Sequence, residues 1–179
     1  MRRLDRKAIW IATAALVVVS AGCSRQEKVR VEMTEEEGAQ LATMVHVADP
    51  RANIQLLKGF HDIEQNAWRW TMSKFSVALR PPVGAAQAGA TLQLKFSIPD
   101  PVLKHTKDIT LSASVNGSPL PPETFKTTGQ HVYSKDVPPA ALASDAITVD
   151  FALDKFLKPG DVDTRELGVV VTSVGLEPK

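Results

Sequence analysis

From about residue 75 onward, apolar and polar side chains alternate with a period of two. Phe75, Val77 and Leu79 are separated by Ser76 and Ala78, and Leu92, Leu94, Phe96 and Ile98 by Gln93, Lys95 and Ser97. Ile109, Leu111, Ala113 and Val115 are separated by Thr110, Ser112 and Ser114, and Ile147, Val149, Phe151 and Leu153 by Thr148, Asp150 and Ala152. A strand sends successive side chains to opposite faces, so each run predicts a strand with one buried and one solvated face. Leu167 to Leu176 is a nearly continuous apolar run and predicts a further strand. Between the runs lie turn formers: Arg80-Pro81-Pro82, Pro99-Asp100-Pro101, Asn116-Gly117, Pro121-Pro122, Pro138-Pro139 and Pro159-Gly160. In Asn116-Gly117 both residues tolerate positive φ, as a two-residue hairpin turn requires. About eight short strands spaced in this way predict an all-β fold, a single antiparallel β-sandwich of jelly-roll type.

A different pattern opens the chain. Residues 1–7 carry four cations and one anion, and Ala8 to Ala21 follow as an apolar run of about fourteen residues. That length fits the core of an export signal and falls short of the roughly 20 residues that span a bilayer. The run ends in Ser20-Ala21-Gly22-Cys23, and Cys23 is the only cysteine of the chain. This arrangement resembles the bacterial lipobox, departing from it at Ser20, where the usual pattern prefers Leu. The resemblance implies a lipidated Cys23 as first residue of the mature protein, and a lone exported cysteine is otherwise unusual because exported thiols normally pair. Two or three acyl chains on one cysteine would make a stable anchor at about 0.8 kcal/mol per buried CH₂. Ser24, in place of Asp, is compatible in that class with the outer membrane. The expected location is therefore the cell envelope, with the membrane engaged through lipid on Cys23.

Ser24 to Gly38 is polar and charge-rich, as a tether between lipid and domain would be. Thr34 and Glu37 have capping-box spacing and would start a short helix through Gln40 to Met44, or a frayed turn in a linker. The expected organisation is a signal peptide over 1–22, a lipidated cysteine and flexible tether over 23–43, and the sandwich over 44–179.

Hydrophobic residues make up 44% of the 179 positions and charged ones 23%, a globular composition that supports one core of ordinary size. The formal charge of +1 overstates the basicity, since the export segment carries +3 and leaves −2 on the remainder. A near-neutral domain offers no footprint for nucleic acid.

The chemistry-bearing residues are few. His46, His61, His105 and His131 are dispersed, with no metal-binding spacing. There is no G-x-S-x-G elbow and no Gly-rich phosphate loop, so a non-catalytic protein without cofactor is expected. Trp68-Arg69-Trp70 is the most distinctive element. On a strand its two indoles share one side and the guanidinium takes the other, within reach of Glu64 or Glu166. Trp68 and Trp70 would form either a stacking platform for sugar rings or a pair of indoles at the core edge with Arg69 clamping neighbouring loops. With Trp10 in the export segment, only two tryptophans and one tyrosine remain, which favours the core role. Asp161, Asp163 and Glu166, with Asp154 nearby, are hard oxygen donors on one loop, the kind that calcium takes. The same residues read equally as a solvated acidic loop with Asp163 against Arg165.

Gly59-Phe60-His61, Trp68-Arg69-Trp70-Thr71 and Asp163-Thr164-Arg165-Glu166-Leu167-Gly168 together resemble a pattern of small jelly-roll β-sandwich domains in bacterial envelope proteins. Some of these are attached to glycosyltransferases and some stand alone on lipoproteins. The resemblance covers about residues 55–177 and implies a fold like that of carbohydrate-binding modules. It leaves two partner classes: an envelope glycan, with Glu64, Arg165 and the Trp-Arg-Trp element as contacts, or a protein docked on the sandwich.

Overall fold

The computed structural model describes residues 40–179; the expected signal segment, Cys23 and most of the tether lie outside them. Nine strands follow in chain order: β1 (Met44–His46), β2 (Leu56–Glu64), β3 (Trp68–Leu79), β4 (Ala90–Ile98), β5 (Ile109–Val115), β6 (Ser118–Phe125), β7 (Gly129–Val137), β8 (Ile147–Leu153) and β9 (Val170–Pro178). Two short helices, α1 (Ala85–Ala88) and α2 (Asp100–Thr106), sit in connections. Every strand pairing is antiparallel, in the order β6-β5-β8-β3-β9-β4-β7, with β1 on β9 and β2 on β3.

The ladder becomes a sandwich because β3 serves both layers. Its C-terminal part pairs with β8 over Lys74–Leu79, whereas its N-terminal part meets β9 only at Arg69 and Trp70. At the handover the ladder is completed by other groups. Thr71 N donates to Val169 O (2.9 Å), Gly168 N donates to Thr71 O (2.7 Å), and Ser73 N donates to a Glu166 carboxylate oxygen (2.7 Å). Only β2–β3 and β5–β6 are neighbours both in sequence and in the ladder. The remaining connections cross between layers, as jelly-roll connectivity requires.

The alternating runs deliver their apolar members to the space between the layers. Leu92, Leu94, Phe96 and Ile98 from β4 meet Ile109, Leu111 and Val115 from β5 and Val149, Phe151 and Leu153 from β8, all buried. Phe75 stacks on Phe151 (centroids 4.8 Å apart) and receives the edge of Phe60 (5.4 Å). Tyr133 on β7 is also wholly buried, and its hydroxyl donates to Pro121 O on β6 (2.8 Å). Together with Lys135–Glu123 (2.6 Å), this bond joins the two outermost strands of the ladder. Burial pushes the Tyr133 phenol up to about 12, keeping it a neutral donor at that edge.

Asn116 (φ 47°) and Gly117 (φ 81°) form the expected tight turn between β5 and β6. Three expectations are corrected. Pro99-Asp100-Pro101 does not simply turn the chain but starts α2: extended Pro99 precedes the helix, Pro101 lies in its first turn, and Asp100 and Lys104/His105 match the helix dipole at its two ends. Gln40–Met44 is not helical. Ala42 exchanges two hydrogen bonds with the buried amide of Gln55, and Leu176 N donates to Thr43 O, so these residues are tied to the sandwich. The last strand starts at Val170, because Leu167 instead bridges Leu157 across the long β8–β9 loop.

Candidate functional site

Of the residues singled out from sequence, Glu64, the Trp-Arg-Trp element, Asp163, Arg165 and Glu166 lie where the β2–β3 hairpin meets the β8–β9 loop. The hairpin turns through Gln65 (φ 50°) and Asn66 (φ 53°), both exposed, which places Glu64 directly across from Trp68. Alternation along β3 holds: Trp68 and Trp70 are half-buried, while Arg69 and Thr71 between and beyond them are buried. Trp70 leans on the core, and Trp68 stays at the rim.

Arg69 is the member of the trio taken inside, with 7% of its surface exposed. Its guanidinium meets neither Glu64 nor Glu166, contrary to the sequence expectation. Nε donates to Val47 O (2.7 Å), one terminal nitrogen to His61 O (3.1 Å) and the other to Asn53 Oδ1 (2.5 Å). A buried cation is thus solvated by neutral dipoles from three segments: the residue after β1, the 3-10 turn Pro50–Ile54 and β2. The sequence offered no sign of this, since two of the acceptors are main-chain carbonyls, which carry no residue signature, and Asn53 lies 16 residues away.

The carboxylates are engaged elsewhere. Arg165 bridges Glu64 (2.8 Å) and Asp163 (3.0 Å), and its donors hold the Asp163 carboxyl at about 2, far below the usual carboxylate range. Glu166 accepts from Ser73, which lowers its pKa, while its main-chain carbonyl lies 2.7 Å from His61 Nε2. These bonds latch the long loop onto the hairpin. Asp161 accepts from Lys158 N (2.7 Å) and faces His105 (3.3 Å), and Asp154 accepts from Thr110 N (2.6 Å). Asp161, Asp163 and Glu166 therefore turn to different donors. Among the described residues no group of three or more acidic, histidine or cysteine side chains converges as a metal ligand set.

At this edge of the sandwich Trp68 and Trp70 share one face of β3, each partly exposed, with Glu64 across the hairpin from Trp68 and Arg165 paired to Glu64. The chemistry there is that of a binding surface: aromatic area to stack on, with fixed donors and acceptors beside it. Among the described residues no helix is long and apolar enough to cross a membrane.

No family model matches the chain, and no curated protein matches it in sequence. Among solved structures it is similar to a family 35 carbohydrate-binding module from Clostridium thermocellum, at 14% identity and a TM-score of 0.45, over 75% of this chain and 98% of that one. It is similar also to the carbohydrate-binding module CBM36 solved with calcium and xylotriose, at 11% identity and 0.44, over 75% and 99%. A third is the family GH115 4-O-methyl-α-glucuronidase BtGH115A, at 10% identity and 0.46, over 78% of this chain and 18% of that one.

Proposed function

We propose that this chain is a non-catalytic glycan-binding module held at the cell envelope by lipid on Cys23. The observation that carries the reading is the inverted burial of the Trp-Arg-Trp element. Arg69 is inside with each of its three guanidinium nitrogens bonded, while Trp68 and Trp70 keep part of their surface in water, Trp68 directly across from Glu64, which pairs with Arg165. A purely structural trio would do the reverse, hiding the indoles and leaving the cation at the surface, because an indole gains far more from burial than a guanidinium. Sugar rings bind by stacking their apolar faces on such rings while hydroxyls meet charged and amide groups at the edge.

Trp68→Ala and Trp70→Ala separate this reading from a structural one. Each half-buried indole should cost about 1–2 kcal/mol of stability on removal, read by thermal unfolding, while retention on a panel of immobilised envelope polysaccharides falls steeply. Variants that lose several times that stability, in a parent that retains no glycan, would point instead to the partner-docking role.

The anchor rests on Ser20-Ala21-Gly22-Cys23 and on the absence of a second cysteine in the sequence. Cys23→Ser should abolish incorporation of labelled fatty acid and release the protein from the membrane fraction. A variant still acylated and still membrane-bound would refute the assignment.

A further inference from the structure

Strand register connects Trp70 to a groove on the far side of the same layer. Trp70 is directly opposite Val170, Val170 is opposite Ser97, and Ser97 is opposite Gln130, so these four lie in one row across β3, β9, β4 and β7. Directly paired residues of antiparallel strands project from the same face. On β4 that face is the outer one, because Leu94, Phe96 and Ile98 point inward and are buried while Lys95 and Ser97 are not.

Next to this row the pairing of β4 with β9 slips between Lys95 and Phe96, leaving Thr172 bulged and exposed, with its hydroxyl donating to Lys95 O (3.2 Å). The slip opens a groove of about 360 Å³ in which Phe96 and Val132 supply apolar area and Lys95, Ser97, Gln130, His131 and Thr172 the polar groups. No carboxylate lines it, and Lys95 is exposed and takes part in none of the ion pairs among the described residues. An open amine beside hydroxyls and an amide, without an acid, selects a ligand that brings negative charge. From Trp70 to Gln130 the row crosses three strand spacings, about 14 Å, or about three sugar rings end to end.

Resting on the glycan-binding reading above, we infer that an acidic linear polysaccharide lies across this layer, with one ring on Trp70 and a carboxylate or other anionic substituent on Lys95. Trp70 then sets the start of the bound segment, and the groove at the bulge sets its charge and direction.

The test is calorimetric titration of the full-length protein in detergent with galacturonic acid oligomers of increasing length and with neutral xylose oligomers of the same lengths. Affinity for the acidic series should rise with each ring up to about three and then level off, as the row length requires. Lys95→Glu should weaken acidic trimer binding about tenfold or more and spare the melting temperature, since Lys95 is exposed and unpaired; Gln130→Ala should weaken it less. Binding that depends on Trp70 yet is unchanged in Lys95→Glu, or that prefers the neutral series, would overturn the groove while leaving the glycan module standing. Failure of the parent to retain any polysaccharide on the immobilised panel would remove the module itself, and the groove with it.

Discussion

Gly59→Ala should be among the most destabilising single substitutions in the domain, lowering stability by about 4 kcal/mol or more. Gly59 has φ +76°, a conformation that costs a side-chain-bearing residue roughly 1–2 kcal/mol by itself. The larger cost is steric. A Cβ there would sit 2.0 Å from Lys74 O and 2.7 Å from the Phe75 Cα, both main-chain atoms of the neighbouring strand. Neither can rotate aside, so β2 and β3 must part where Phe75 carries the stack with Phe151. The register slips between Lys58 and Phe60 show that β2 kinks at this glycine to follow the bend of β3 between layers. Chemical denaturation of the variant measures the loss directly. A midpoint within about 1 kcal/mol of the parent would mean that the kink relaxes more easily than its packing implies. Gly117→Ala is a natural control, since its φ is +81° but nothing lies within contact distance of its Cβ, and it should pay only the conformational cost.

Arg69→Met should cost about 3–5 kcal/mol, because it keeps the volume and removes the donors. Three acceptors would then lose their donor: Val47 O in a buried hydrogen bond, and His61 O and Asn53 Oδ1 in partly buried ones. Hydrogen bonds to a charged group are worth roughly 1.5–3 kcal/mol each, and acceptors left buried without a donor add their desolvation cost. Arg69→Lys retains the charge, but one ammonium cannot satisfy three carbonyls spaced for a planar fork, so an intermediate loss is expected. A ranking of parent, then Lys, then Met in denaturant midpoint supports the clamp. Equal losses in both variants would assign the stability to the fork geometry alone, and no loss in either would show that the loops hold without it.

The candidate site was partly legible in the sequence. Trp68, Arg69 and Trp70 stood out because strand alternation separates them onto two faces, and that separation holds. Which face lies inside could not be read, since it depends on where β1, the 3-10 turn and β2 place their carbonyls. Arg165 with Asp163 was visible from their proximity in the chain. Its second partner, Glu64, is 101 residues away and becomes a neighbour only when the β8–β9 loop folds over the hairpin. The groove at Lys95 left no trace in the sequence: it arises from a one-residue slip between two strands that are distant along the chain.

For the fold, the local patterns carried most of the information. Period-two alternation located β4, β5 and β8 and the C-terminal half of β3, because a strand with one solvated face must alternate, and Asn116-Gly117 marked its hairpin because few residue pairs accept two positive φ values. The strands that escaped notice are those whose environment does not alternate. β2 is kinked at Gly59, β6 begins Ser-Pro-Leu-Pro-Pro, β7 shows few apolar residues, and β1 is three residues long. Each exists because a partner strand supplies its hydrogen bonds, a contribution that belongs to the neighbour and is invisible in the segment itself. The sequence alone therefore determined the all-β class, the main strands and the sharpest turn, all consequences of local periodicity and backbone preference. Tertiary structure alone decided how β3 divides between two layers, which side of the Trp-Arg-Trp element is buried and where a groove opens, because each of these depends on register between segments far apart in the chain.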